Sequence, residues 1–371
     1  MTPPRILYCA EILWPSIGGI ETYTQALLPR LKQRGYEIHT LSGDGGIGLP
    51  DTETVDGVVM HRLPLRLDIE SGDPGRLLEG IRKVRALKQQ VAPDIVHINF
   101  SGPIAFYHLR TKGVAPCPML TTIHGPVTGL RGGAGTLLAE MFASSDWVIA
   151  NSRSVLEDVH AAAPGVTGRS SVIYYGVDVA DVESAAPSLS PPRLLCIGRL
   201  VPEKGVDVAI EAFADVRRRF PDATLVVAGD GVERPTLEHR ARELGLGEAV
   251  HFTGWVAPAD VPRLMAEASL VLVPSRWQEP FGLVAVEASL QGRPVLACSV
   301  GGLREAVEDG VSGRHVPPDD PAAFAAAAIG MLSDPEGLAA MGGRGRERAR
   351  RLFGMDANVD ALDQLYRRLT A

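Results

Sequence analysis

Two glutamates eight positions apart, Glu279 and Glu287, lie in the segment Pro-Ser-Arg-Trp-Gln-Glu-Pro-Phe-Gly-Leu-Val-Ala-Val-Glu-Ala at 274–288. The apolar run at 270–273 just before it reads as a buried strand, and a helix should open near Phe281 or Gly282. A strand, a Glu-Pro-Phe-Gly turn and a helix leave free backbone N–H groups at the helix N-terminus. Such a terminus carries about half a positive charge and seats phosphate. Glu279 then faces a ligand from the loop, and Glu287 reaches it from about a turn and a half along the helix. Two acceptor carboxylates beside a phosphate seat suit a sugar joined to a diphosphate. A loop glutamate and a helix-face glutamate would be the plain alternative. However, the apolar neighbours of Glu287 make a charge without a role expensive.

The elements that must carry these residues follow from the pattern of short apolar runs. Strands are expected at 5–10, 37–42, 57–63, 94–99, 118–123, 147–150 and 171–174, then at 193–197, 224–228, 250–252, 270–273 and 294–297. Amphipathic helical segments such as 21–34, 206–220 and 234–244 separate them, and 355–369 closes with one more. This alternation predicts βαβ units and largely parallel sheets. A Pro/Ser/Ala stretch without periodicity at 182–192 is the best linker. The expected organisation is an N-terminal domain at 1–181, a linker at 182–192, a C-terminal domain at 193–352 and a helix at 353–371 packing back on the first domain. Two doubly wound α/β domains facing across a cleft would present their strand carboxyl ends, and so their ligands, to that cleft.

Bulk properties narrow the class. The 371 residues exceed the ~250–300 at which one core stops growing, so two domains are the default. A formal net charge of −7 argues against nucleic-acid affinity. No run approaches the ~18 apolar residues of a membrane span. The start runs straight into a strand without the h-region of a signal peptide. Cys9, Cys117, Cys196 and Cys298 are scattered, without C-x-x-C, and read as free thiols in a reducing cytoplasm. The oligomeric state is left open.

Eight motifs occur in one order: Gly18-Gly-Ile-Glu21, His124-Gly-Pro, Ala150-Asn-Ser152, Gly198-Arg-Leu-Val-Pro-Glu-Lys-Gly205, Ala228-Gly-Asp-Gly231, Phe252-Thr-Gly-Trp255, Glu279…Glu287 and Gly301-Gly-Leu-Arg-Glu305. Together they resemble the retaining, nucleotide-sugar-dependent glycosyltransferases of family 4, whose two Rossmann-like domains form the GT-B fold. The resemblance spans nearly the whole chain and is stronger in its C-terminal half. It implies transfer of a sugar from a nucleotide-diphosphate donor to an acceptor hydroxyl.

The resemblance also implies roles. Gly18 and Gly19 would face the donor diphosphate from the N-terminal domain. Arg199 and Lys204 would hold that diphosphate and neutralise the leaving group, work that suits fixed cations in a water-poor site. Alone, the two cations near Glu203 would read as a solvated surface pair. His124 would contact the donor sugar near its anomeric centre, whereas a lone strand-end His is usually structural. Glu279 would bind sugar hydroxyls beside the backbone N–H groups of Phe281, Gly282 and Leu283, and Glu287 would bind both ribose hydroxyls. Asn151 and Ser152 either line the cleft or, for Ser152, cap the following helix. The Gly-Leu-Val after Glu279-Pro-Phe resembles users of UDP-sugars more than of GDP-mannose. The D-x-D motif is absent, which fits a transferase without metal or other cofactor.

Other features stay open or are set aside. Gly43-Asp-Gly-Gly-Ile-Gly48 satisfies G-x-G-x-x-G but opens no helix, so a dehydrogenase is disfavoured. The helical segment 76–91 carries Arg76, Arg82, Lys83, Arg85 and Lys88 against Glu79, with Leu77, Ile81, Val84 and Val91 opposite. It reads as a solvated face or as a surface for anionic lipid or an anionic acceptor. Tyr174 and Tyr175 stand where family members commonly show Pro-Asn. The acceptor is expected to meet loops 43–54 and 125–135. The alternatives to a transferase are an epimerase, a phosphorylase or trehalose-type synthase, and a non-catalytic sugar-nucleotide binder.

Overall fold

The computed structural model describes residues 3–16, 18–43, 48–99, 102–127, 136–178, 187 and 189–371. They form two compact units, one of residues 1–176 with 355–371 and one of residues 177–354. The chain passes between units at Gly176–Val177 and at Gly354–Met355. Residues 179–186 and 188, which include most of the expected linker, lie outside the described residues, as do 44–47 and 128–135 of the two expected acceptor loops.

The first unit holds strands β1 (Arg5–Cys9), β2 (Glu37–Ser42), β3 (Thr52–Val55), β4 (Val58–Arg62), β5 (Ile95–Asn99), β6 (Met119–Ile123), β7 (Trp147–Ala150) and β8 (Ser170–Val172). Their order is β3-β4-β2-β1-β5-β6-β7-β8, and every pairing is parallel except β3 with β4. The helices are α1 (Gly19–Gln33), α2 (Leu65–Glu70), α3 (Pro74–Val91), α4 (Pro103–Arg110), α5 (Leu137–Ser144) and α6 (Arg153–Ala162). One core gathers Val84, Ile104, Met141 and Val155 from α3 to α6 against one sheet face. A second core joins Leu27 and Leu31 of α1 to Val359, Leu362 and Tyr366 of the chain's last helix. Strands with helices on both faces are buried on both sides, which is why their sequences read as unbroken apolar runs.

The second unit holds β9 (Arg193–Ile197), β10 (Thr224–Ala228), β11 (Val250–Gly254), β12 (Leu270–Val273), β13 (Val295–Cys298) and β14 (Gly313–Val316), in the order β11-β10-β9-β12-β13-β14 with every pairing parallel. Its helices are α7 (Val206–Arg219), α8 (Arg234–Glu243), α9 (Val261–Glu267), α10 (Leu283–Leu290), α11 (Leu303–Ala306), α12 (Pro321–Leu332) and α13 (Pro335–Phe353). The last helix, α14 (Met355–Thr370), belongs to the first unit. No helix among the described residues is long and apolar enough to cross a membrane.

The segment at 76–91 departs from its expected faces. Lys88, read with the basic side, is 1% exposed, and its ammonium donates to the His108 carbonyl at 3.2 Å and meets His108 Nδ1 at 3.0 Å. Position 88 falls on the same stripe as Val84, Leu87 and Val91, and helical geometry turns that stripe inward. Burial pushes the Lys88 ammonium down to about 8. Conversely, Leu78 is 66% exposed among the arginines.

Candidate functional site

In each sheet the winding direction reverses at one place: between β1 and β5 in the first unit and between β9 and β12 in the second. Ligands of open parallel sheets bind beyond the strand carboxyl ends at such switch points. In the second unit, Lys204 lies in the loop after β9 and Glu279 in the loop after β12, so the two flank its switch point.

These loops are drawn together by backbone and side chains alike. Gly205 has φ +65°, and a Cβ there would stand 2.1 Å from the Pro274 carbonyl oxygen, so only glycine allows the approach. The Arg276 N–H donates to the Glu203 carbonyl at 2.9 Å. Its guanidinium donates to the Pro202 carbonyl at 3.0 Å, to both oxygens of Asp207, and to Asp319. On the other side, Gly302 N–H donates to the Glu279 carbonyl at 2.6 Å and Gly301 N–H to Gln278 Oε1 at 2.9 Å.

The result is a close pair. Lys204 Nζ donates to Glu279 Oε1, which also accepts from the Ser275 hydroxyl at 2.8 Å. Glu279 is 7% exposed, and among the described residues its Oε2 has no partner. Lys204 Nζ also stands 5.6 Å from the centre of the half-exposed Trp277 ring. Arg199, in the same loop as Lys204, is exposed and carries no ion pair among the described residues.

Beyond Glu279 the chain turns at Gly282, φ +95°, and enters α10 with no side chain capping its N-terminus. The backbone at Phe281, Gly282 and Leu283 forms this entry, whereas the Phe281 ring is buried against Phe353 at 5.5 Å. One turn on, the partly buried Glu287 carboxyl has no hydrogen bond or ion pair among the described residues, and burial raises it to about 7. A partly buried carboxyl without a partner carries a desolvation cost that a ligand's hydroxyl groups would relieve.

In the first unit, Gly18 in extended backbone precedes α1, which opens at Gly19. The Glu21 carboxylate folds back against Gly18, filling the space a Cβ would need. His124 follows β6 and accepts at its carbonyl from Asn151 Nδ2 at 3.1 Å. Its Nε2 lies 2.9 Å from Asn99 Oδ1, and its Nδ1 meets the Tyr175 hydroxyl. Burial lowers the His124 imidazole to about 3, so the ring is neutral. Ser152 is fully buried and caps α6, accepting from Val155 N–H at 3.1 Å. Of its two readings the structure bears out the cap. Sequence reasoning did not single out Ser275, Arg276 or Asn99. Asn99 carried a signal in ending a central strand, but Arg276 clasps partners too far along the chain for spacing to reveal.

The family model described as Glycosyltransferase Family 4 matches residues 17–181, and that described as Glycosyl transferases group 1 matches residues 181–348. A glycogen synthase of Mycobacterium tuberculosis (strain CDC 1551 / Oshkosh) is 33% identical over 286 residues, which cover 74% of this chain and 68% of the relative. D-inositol 3-phosphate glycosyltransferase 2 of Catenulispora acidiphila is 32% identical over 395 residues, covering 95% of this chain and 90% of the relative. Among solved structures, sucrose-phosphate synthase (tll1590) from Thermosynechococcus elongatus matches with a TM-score of 0.80 and 25% identity, covering 99% of each chain. The chain belongs to glycosyltransferase family 4 and is a glycosyltransferase of the GT-B fold.

Proposed function

We propose that this enzyme moves a sugar from a nucleotide diphosphate, a UDP-sugar in the first instance, to an acceptor hydroxyl, with retention at the anomeric carbon and without a metal ion. The observation that carries the reading is the arrangement in the second unit: Lys204 on Glu279, the uncapped entry to α10, and the partnerless carboxyl of Glu287.

The chemistry follows from what these groups can do. An ammonium has three N–H bonds, so Lys204 can keep Glu279 and still bind a diphosphate oxygen. Arg199 adds a planar fork suited to the same oxygens. Glu279 Oε2 accepts from sugar hydroxyls, and Glu287 accepts from the ribose. His124 takes the donor-sugar contact that the family resemblance assigns to it. The acceptor hydroxyl attacks on the face from which the diphosphate departs, and a departing phosphate oxygen takes the acceptor proton. No protein base is needed. The protein's contribution is position and charge, with cations set where negative charge grows on the leaving group.

The test is a thermal-shift panel of UDP, ADP, GDP and TDP with their sugar conjugates, with magnesium and with a chelator, and with NAD as a control. A ligand at 100 times its dissociation constant adds about 2.7 kcal/mol, which is readily seen. Stabilisation by one nucleotide family, equal with and without magnesium, is expected. Lys204→Ala, Arg199→Ala and Glu279→Gln should each cut turnover by roughly 100-fold or more while folding normally. Stabilisation by NAD alone or by nothing, or wild-type rates in all three variants, would end the reading.

A further inference from the structure

The geometry points to Tyr175 as the residue that positions the His124 imidazole, holding it as the Nε2–H tautomer with its ring plane set by stacking. Asn99 supplies the first constraint. Its Nδ2 donates to the Tyr8 hydroxyl, which turns Oδ1 toward His124 Nε2 at 2.9 Å. A carbonyl oxygen only accepts, so Nε2 carries the proton. The Nδ1 lone pair must then receive a donor, and the Tyr175 hydroxyl meets it.

Asn151 completes the direction of the chain. Its Oδ1 is buried without a partner, so its amide nitrogen is the donor to both the His124 carbonyl and the Tyr175 oxygen. With that bond accepted, the Tyr175 proton is left to point at His124. The side chains thus donate in one sense: Asn151 to Tyr175, Tyr175 to His124, His124 to Asn99, and Asn99 to Tyr8. A sequence of this kind in a buried site polarises along its length and resists reversal of any one member.

The rings repeat the constraint. Tyr175 and His124 stack at 5.4 Å between centres and 7° between planes. Tyr23 of α1 packs against Tyr175 at 4.7 Å between centres and donates to Asn358 of α14 at 2.9 Å. Asn358 in turn donates to the Tyr174 carbonyl at 2.6 Å. The tyrosine pair that departs from the family's common residues is therefore tied into the first unit through Tyr23 and Asn358, with Tyr175 aimed at the site histidine. The inference rests on the reading of His124 as a donor-sugar contact. Both ring nitrogens are engaged by protein, so Tyr175 decides which of them a sugar hydroxyl can displace and which hydrogen-bonding role it meets there.

The experiment uses the full chain labelled with 15N-histidine, in which His124→Gln identifies the His124 signals by their loss from among the 9 histidines. Tyr175→Phe deletes only the hydroxyl. Its expected effects are a changed His124 tautomer signature and about a ten-fold fall in turnover, the scale of one buried hydrogen bond, with donor KM little changed. Tyr36→Phe removes another buried tyrosine hydroxyl of the first unit, one bonded to Asp363 and outside this chain, and should leave both signature and turnover as they are. That control separates positioning from general loosening. A wild-type His124 signature in Tyr175→Phe would overturn the positioning role. Wild-type turnover in His124→Gln would instead remove His124 from the reaction, and with it any catalytic consequence of Tyr175, while the tautomer bond itself stood.

Discussion

A carboxyl that ionises near neutrality reports on whatever sits beside it, and Glu287 is such a group. Its ordinary value of 4.5 in the unfolded chain rises to about 7 in the fold because burial penalises the charge. Below 4.5 the proton is held in both states and the site is neutral to stability. Above 7 the folded state carries the full burden of a poorly solvated charge. The ligand-free fold therefore loses stability as pH rises through that window, by roughly 1–3 kcal/mol from this group. Glu287→Gln should remove the loss, so the difference in melting temperature between variant and wild type should grow from about pH 5 to about pH 8. A constant difference would show that Glu287 does not titrate there. Ribose hydroxyls donating to the ionised form would draw the value down again, so nucleotide binding near pH 6 should release a proton that Glu287→Gln does not release. Calorimetry in buffers of different ionisation enthalpy reads that proton directly.

At the scale of elements, what matters is how two loops from separate strands are held a hydrogen bond apart. Gly205→Ala places a methyl against the Pro274 carbonyl and must push the Lys204 loop from the Glu279 loop. Gly245 offers the matched control, because it has φ +68° but nothing within 4 Å of an added Cβ. Each variant bears the backbone strain of a left-handed alanine, on the order of 1 kcal/mol. Only Gly205→Ala should also lose most of its turnover, and equal rates in the two would deny the loop approach a part in activity.

The strands that position these loops were legible because burial on both faces makes a parallel strand a short apolar run, as at 193–197 and 270–273. Two strands were not. Thr-Glu-Thr-Val in β3 forms a half-exposed edge and Gly-Arg-His-Val in β14 borders the other sheet, so neither shows that run. Lys88 belongs to the inward stripe, although its charge suggests the solvated face. The glutamate pair and the Lys204 loop stood out by local composition. The Arg276 clasp and the Asn151-Tyr175-His124 chain depend on contacts between distant segments, which no spacing along the chain encodes.

For the whole molecule, the last helix closes a core that the first residues begin. Val359, Leu362, Leu365 and Tyr366 share that core with Leu27, Leu31 and Tyr36, and Tyr366 also bonds His97 at 2.6 Å. Removing residues 355–371 uncovers this face, and at about 1.5–3 kcal/mol per buried apolar side chain the loss rivals the whole stability margin of a domain. The truncated chain should therefore lose the melting transition of its first unit and all transfer activity, yet still bind nucleotide through the second. Calorimetry of that chain with and without the nucleotide identified by the panel would test this. A single transition unchanged from wild type would contradict it.

The second unit enters and leaves the first at neighbouring points. Val177 N–H donates to the Phe353 carbonyl at 2.8 Å, and Val177 bridges Gly354 in parallel. Its two ends are thus already tied to each other, as the ends of an inserted cassette would be. A gene cut at these two junctions should yield a portable module, and a module with adjoining ends can be transplanted between hosts by two seams rather than redesigned.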